Sequence, residues 1–123
     1  MKKIAVFAEK HDLIVISDEI YCDLTYDDNH TCFASLPNMK ERTIVLNGFS
    51  KSYAMTGLRI GYACGPAEVM QSVCKVHQYS MLCAPVTGQY GAIAALRDCK
   101  EEVEAMYNEY HTRREIVYNA IIG

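Results

Sequence analysis

Apolar positions fall into two kinds of run along this chain. Leu13-Ile14-Val15-Ile16-Ser17 and Thr43-Ile44-Val45-Leu46-Asn47 are continuous and rich in β-branched residues, the pattern of strands covered on both faces. Ile60 to Cys64 is a third strand candidate, closed by Gly65-Pro66. Elsewhere the apolar residues recur at helical spacing. Residues 2 to 11 read as a short amphipathic helix. Val69, Val73 and Val76 predict a second helix, with Pro66 at its first position and its end near Tyr79. Pro85 breaks the pattern, and a third helix covers Val86 to Leu96. A fourth begins near Glu101 and carries Val103, Met106, Tyr110, Val117 and Ile121 on one stripe; Glu101, Glu102 and Glu104 favour its N-terminal turn. Between the first two strands lies a polar loop containing Asp27, Asp28, Asn29 and His30, then Pro37. The order predicts an α/β fold with a helical C-terminal half, without repeat, low-complexity tract or flexible linker.

Composition narrows the function classes. The 123 residues are 50% hydrophobic and 22% charged, enough for one ordinary core. A net charge of -3 leaves no electrostatic footprint for nucleic acid. No apolar run approaches the ~20 residues that span a bilayer. Met1-Lys2-Lys3 leads only into Ile4 to Ala8 before Glu9 interrupts, so neither a signal peptide nor a membrane anchor is expected. Cys22, Cys32, Cys64, Cys74, Cys83 and Cys99 are widely spread and form no C-x-x-C pair, which favours reduced thiols in a cytoplasmic protein over a disulfide framework. His77 near Cys74 and Cys83 matches no zinc spacing, and no metal is assigned.

The chemistry-bearing residues gather after the strands. Asp18, Glu19 and Tyr21 follow the first; Ser50, Lys51 and Arg59 follow the second. Ligands of open α/β sheets bind beyond the carboxyl ends of strands, which places both clusters at one crevice. Taken singly, each has a bland explanation: aspartate and lysine are mostly solvated, and tyrosine often sits at a core edge. Only the combination singles them out.

Ser17-Asp18-Glu19-Ile20-Tyr21, followed by Asn47-Gly48-Phe49-Ser50-Lys51-Ser52-Tyr53-Ala54-Met55-Thr56-Gly57-Leu58-Arg59-Ile60-Gly61-Tyr62, resembles the cofactor-binding core of the class I/II aminotransferases, the fold-type-I pyridoxal-phosphate enzymes. The likeness runs through nearly the whole chain. It implies part of a three-layer sandwich: residues 1–100 as an incomplete large domain that binds pyridoxal 5'-phosphate, and 101–123 as the start of the long helix toward a small domain. By the same resemblance Lys51 forms the Schiff base with the cofactor and then carries the proton between substrate and cofactor carbons. Asp18 meets the pyridine nitrogen, Tyr21 the ring hydroxyl oxygen, and Arg59 and Ser50 the phosphate. The residue types suit these tasks. A carboxylate favours a protonated ring nitrogen, a lysine beside a cation or out of water spends time uncharged, and a guanidinium gives phosphate two parallel bonds.

Two departures from the pattern matter. Many relatives carry a serine where Gly48 stands, which removes one phosphate hydrogen bond, while Gly57 and Gly61 suit a tight passage from the lysine loop into the third strand. The resemblance also implies parts that no residue here supplies: a glycine-containing turn under the phosphate, an aromatic ring on the pyridine, an asparagine, and the arginine that binds the substrate carboxylate. The expectation is therefore a fragment, inactive alone, of an enzyme exchanging an amino group between an amino acid and a 2-oxo acid. The resemblance implies homodimers, and Tyr79 to Thr87 resembles the stretch that nears the neighbouring subunit there, but a plain connection between two helices is the simpler and preferred reading. A carbon-sulfur lyase on the same scaffold and a non-catalytic interaction fragment stand as alternatives.

Overall fold

In a computed structural model, which describes residues 1–26 and 29–123, the strand runs form one mixed sheet; Asp27 and Asp28 of the polar loop lie outside the described residues. Strand β1 (Val15–Asp18) pairs in parallel with β2 (Thr43–Gly48), and β3 (Gly61–Cys64) pairs antiparallel on the other side of β2. The described α-helices are α1 (Lys2–Lys10), α2 (Ala67–Ser80), α3 (Val86–Asp98) and α4 (Lys100–Ile122). A parallel pair needs a long crossover. Here it is made of single 3-10 turns at Cys22–Leu24, Phe33–Ser35 and Lys40–Arg42. Phe33 and Met39 of that crossover are buried with Ala5 and Ala8 of α1, and Val15 and Leu36 pack against them. A second core joins Phe49 to Ala92 and Ala95 of α3, with Tyr53, Met55 and Ile60 around it.

β1 starts two residues later than the apolar run predicts. The Leu13 amide is taken by the Ala8 carbonyl at 2.8 Å, which closes the end of α1, and Asp12 is left-handed at φ 49°. Nor are both faces covered. Val15 turns toward α1, whereas Ile16 is 67% exposed, and register places Ile16 and Asp18 beside Ile44 and Leu46. Pro66 sits just before α2 in extended backbone instead of at its first position, while Pro85 stands just before α3, which starts at Val86 as the sequence predicts. The apolar stripe of α4 is half-buried at Val103 and Met106, but Val117 and Ile121 are exposed because no described element packs on that end. α2 buries no residue at all, and Val76, Tyr79 and Leu82 stand in the open.

So much uncovered apolar surface, together with an unpaired edge on β1, favours association. The 123-residue chain on its own is expected to sediment as a mixture of larger species; a sharp monomeric boundary with cooperative melting is the contrary result.

Candidate cofactor site

The loop leaving β2 folds tightly on itself. The Met55 amide donates to the Phe49 carbonyl at 3.1 Å, the Ala54 amide to Lys51 O at 3.1 Å, and the Thr56 hydroxyl to Ser50 O at 2.8 Å. Two residues other than glycine, Ala54 at φ 52° and Arg59 at φ 50°, take left-handed conformations inside it. Such backbone costs about 1 kcal/mol or more per residue and persists where surroundings enforce it. The enforcement comes from two sides. Phe49 and Ser52 are buried, and α3 lays glycines against the loop: a Cβ on Gly88 would stand 2.9 Å from the Leu58 carbonyl oxygen, and one on Gly91 would stand 3.2 Å from the Leu58 side chain. Ser50 and Lys51 are left half-exposed on the outer side.

β1 delivers the second cluster. The Glu19 amide extends the parallel ladder with a 2.8 Å bond to Leu46 O, and the Cys22 amide then turns back to Glu19 O at 2.9 Å. This turn carries Tyr21 toward the lysine loop, with Lys51 Nζ lying 5.7 Å from the centre of the Tyr21 ring. Asn47 at the end of β2 ties the turn down from the other side by donating to Cys22 Sγ at 3.2 Å.

Tyr21, Ser50 and Lys51 line one open concavity of about 620 Å³, and Ser50 and Arg59 line an adjoining hollow of about 240 Å³ beside Gly48 and Gly61. Ser50 therefore connects the two. Arg59 is exposed, and its Nη1 donates to Thr56 O at 2.9 Å. Asp18 lines neither hollow; it is exposed at the carboxyl end of β1, opposite Leu46 in register, and its Oδ1 accepts the Ile20 amide at 3.2 Å.

The glycines divide. Gly57 does not serve the tight passage expected of it: a Cβ there would meet nothing, and the left-handed turn falls on Arg59. Gly61 does, because its Cβ would sit 3.1 Å from Asn47 O. Gly48 pairs with Gly61 across the sheet, and its Cβ would come within 2.9 Å of the Gly61 Cα and 3.0 Å of Ile60 O. Any side chain at this position forces β2 and β3 apart. We expect Gly48→Ser, which adds the hydroxyl missing here, to destabilise the chain by about 1–3 kcal/mol, read from urea midpoints.

Leu24, Tyr26, Ala54, Thr56 and Tyr110 also line the larger concavity, and the sequence marked none of them as site residues. Tyr110 arrives from α4, which docks on the crossover through Tyr107: its hydroxyl donates to Thr25 O at 3.1 Å, and its ring lies 5.3 Å from that of Tyr26. The available signal was the polar-aromatic spacing of Tyr107, Tyr110 and His111, masked by the apolar stripe on the same helix.

Glu19 is the buried charge of the site, 6% exposed. Burial pushes its carboxyl up, but hydrogen bonding from His30, the Phe33 amide, Ser17 and Cys32 outweighs that, and the net displacement is below the ordinary value of 4.5. A depressed folded-state value contributes stability that is complete above the unfolded value and lost as pH falls through the folded one. The melting midpoint is accordingly expected to fall on acidification below about pH 4.5, and Glu19→Gln to weaken that dependence.

With this geometry in view, residues 1–122 match the family model described as aminotransferase class I and II. This chain belongs to the class I and II aminotransferases. Relatives agree with the match. The chain is 45% identical over 124 residues to an aspartate aminotransferase of Pyrococcus abyssi, covering 98% of this chain and 32% of that one. It is 41% identical over 124 residues to aromatic-amino-acid aminotransferase 2 of Thermococcus litoralis, with the same coverage of 98% and 32%. The crystal structure of an aromatic aminotransferase from Pyrococcus horikoshii superposes with a TM-score of 0.91 at 44% identity, over 96% of this chain and 32% of that one. The three strands and four helices are thus a piece of the fold-type-I aminotransferase architecture, and the chain spans about a third of the length of the aminotransferases it matches.

Proposed function

We propose that this chain supplies the cofactor-holding part of an aminotransferase that exchanges an amino group between an amino acid and a 2-oxo acid. The observation that carries the reading is the meeting of Lys51 with Tyr21 at the carboxyl ends of two parallel strands, in a chain matching the class over residues 1–122. Class I and II aminotransferases use pyridoxal 5'-phosphate, which when bound draws off the electrons left on the substrate carbon as its proton leaves.

The residues present fit that group. A primary amine, a phenol and a hydroxyl line one hollow, and a guanidinium lines the hollow next to it, where the Gly48–Gly61 pair leaves no side chain in the way. Lys51 would hold the cofactor through Nζ and, once released by substrate, take and return the proton there. Tyr21 would give its phenol hydrogen bond to the ring oxygen. Asp18 would keep the ring nitrogen protonated by its negative charge. Arg59 and Ser50 would bind the phosphate; the guanidinium is suited to two parallel bonds and stays charged. No hydroxyl at Gly48 adds to that grip.

We take residues 1–100 as the incomplete large domain and 101–123 as the helix leading toward a small domain. A second copy of the polypeptide is the expected partner, and the cytoplasm the expected compartment. No described helix is long and apolar enough to cross a membrane.

The test adds pyridoxal phosphate to the 123-residue chain and to any longer polypeptide that carries it, reduces with borohydride and maps the label. Label on Lys51, with keto acid formed only when an amino acceptor is present, supports the proposal. Label elsewhere overturns the cofactor assignment. Pyruvate and thiol released from cysteine conjugates without an acceptor overturn transfer in favour of elimination.

A further inference from the structure

Glu19 is a buried ionised group between Asp18 and Tyr21, and none of the roles above employs it. Along β1 the side chains alternate. Val15, Ser17 and then Glu19 turn inward, while Ile16 and Asp18 are exposed. Inside, one carboxylate oxygen accepts the Ser17 hydroxyl at 3.0 Å and the Phe33 amide at 2.9 Å; the other faces His30 Nε2 at 2.8 Å. The partners come from β1 itself, from the loop carrying His30, and from the 3-10 turn at Phe33–Ser35. Among the described residues, the titratable groups facing it are His30 and Cys32. Burying a carboxylate is costly unless its oxygens are filled by well-placed donors, so filled oxygens fix its position closely. The backbone of the same residue is the pivot between the clusters: its amide holds Leu46 O on β2 and its carbonyl accepts the Cys22 amide that closes the turn around Tyr21.

Resting on the cofactor reading above, we propose that Glu19, held by His30, is a positioning residue: its anchored carboxylate sets the strand end from which Asp18 and Tyr21 reach the cofactor. The backbone joins all three within four residues, so rotation of the Glu19 peptide swings its neighbours on either side. Hydrogen-bonding groups misplaced by about 1 Å lose much of their effect.

The test compares the chain, alone and in any longer polypeptide that carries it, with Glu19→Gln and His30→Gln, each loaded with pyridoxal phosphate. The readout is the pH midpoint of the absorbance of the Lys51-held cofactor, which reports the proton affinity of the nitrogen joining Lys51 to the cofactor and is independent of turnover. Both substitutions are expected to move the midpoint in the same direction, Glu19→Gln by about half a unit or more. Combined with Tyr21→Phe, Glu19→Gln should shift it by less than the sum of the two, because part of its effect passes through Tyr21. A role in stability alone lowers the melting midpoint and leaves this titration in place.

An unmoved midpoint in a folded, labelled variant overturns the inference while leaving the cofactor reading intact, as do strictly additive shifts with Tyr21→Phe. If Glu19→Gln fails to fold, His30→Gln decides, since it keeps the Ser17 and Phe33 bonds. Loss of fold in both assigns Glu19 to stability and overturns positioning. Absence of Lys51 label in the unsubstituted protein overturns the cofactor reading first and this inference with it.

Discussion

Lys51→Ala is expected to abolish borohydride-trapped cofactor and to lower amino transfer by about 10⁴-fold or more, measured on whatever polypeptide carries these residues, because two tasks vanish together. The covalent hold needs a primary amine, and proton movement by a positioned base is worth about 10²–10⁴-fold by itself. The fold should survive the change. Lys51 is half-exposed on the outer side of a loop whose shape is set by Phe49, Ser52 and the glycines of α3, and its recorded partner is the Tyr21 ring. A cation over an exposed aromatic ring contributes about 0.5–1 kcal/mol. Unchanged melting with total loss of label therefore separates the chemical role from the structural one. Lys51→Arg, which keeps charge and length but cannot become an uncharged amine at ordinary pH, should fail the same test.

Asp18→Asn carries the second large effect, a loss of about 10–10³-fold in amino transfer. An opposite charge within hydrogen-bonding reach raises the proton affinity of a ring nitrogen by about 1–3 pH units, and each unit lost is a tenfold fall in the protonated fraction once pH exceeds the new midpoint. The loss should consequently shrink toward acid pH, where the nitrogen is protonated without help. A pH-independent loss would indicate that Asp18 works through position and not charge. Stability is a poor reporter here. Asp18 is exposed and its recorded bond is the short local one from the Ile20 amide, so its replacement should alter the melting midpoint little.

The strands and helices were largely legible in the order of residues, and the failures have physical causes. Leu13 and Ile14 looked like strand because they are β-branched or apolar neighbours of Val15, yet the Leu13 amide is consumed by the end of α1. Gly57 looked like the tight turn because glycine tolerates left-handed backbone, yet the turn falls on Arg59. Glu19 stood inside the motif without a role, since its partners His30 and Phe33 lie 11 and 14 positions away. Tyr110 and Tyr26 were invisible as lining residues for the same reason: α4 docks on the crossover through a bond spanning 82 positions.

Local chemistry, then, was written in the chain itself. The two motifs and their place at strand ends follow from the order and spacing of a few residues, and the roles expected of those residues toward a phosphorylated ring from the family resemblance that the motifs carry. What only the folded chain decided was which groups meet. Parallel pairing of β1 with β2 brings Tyr21 to Lys51, the Gly48–Gly61 contact excludes a hydroxyl, and the burial of Glu19 ties the strand end to His30. Such meetings depend on loop closure and packing between segments far apart in sequence, and no local pattern encodes the partner at the other end.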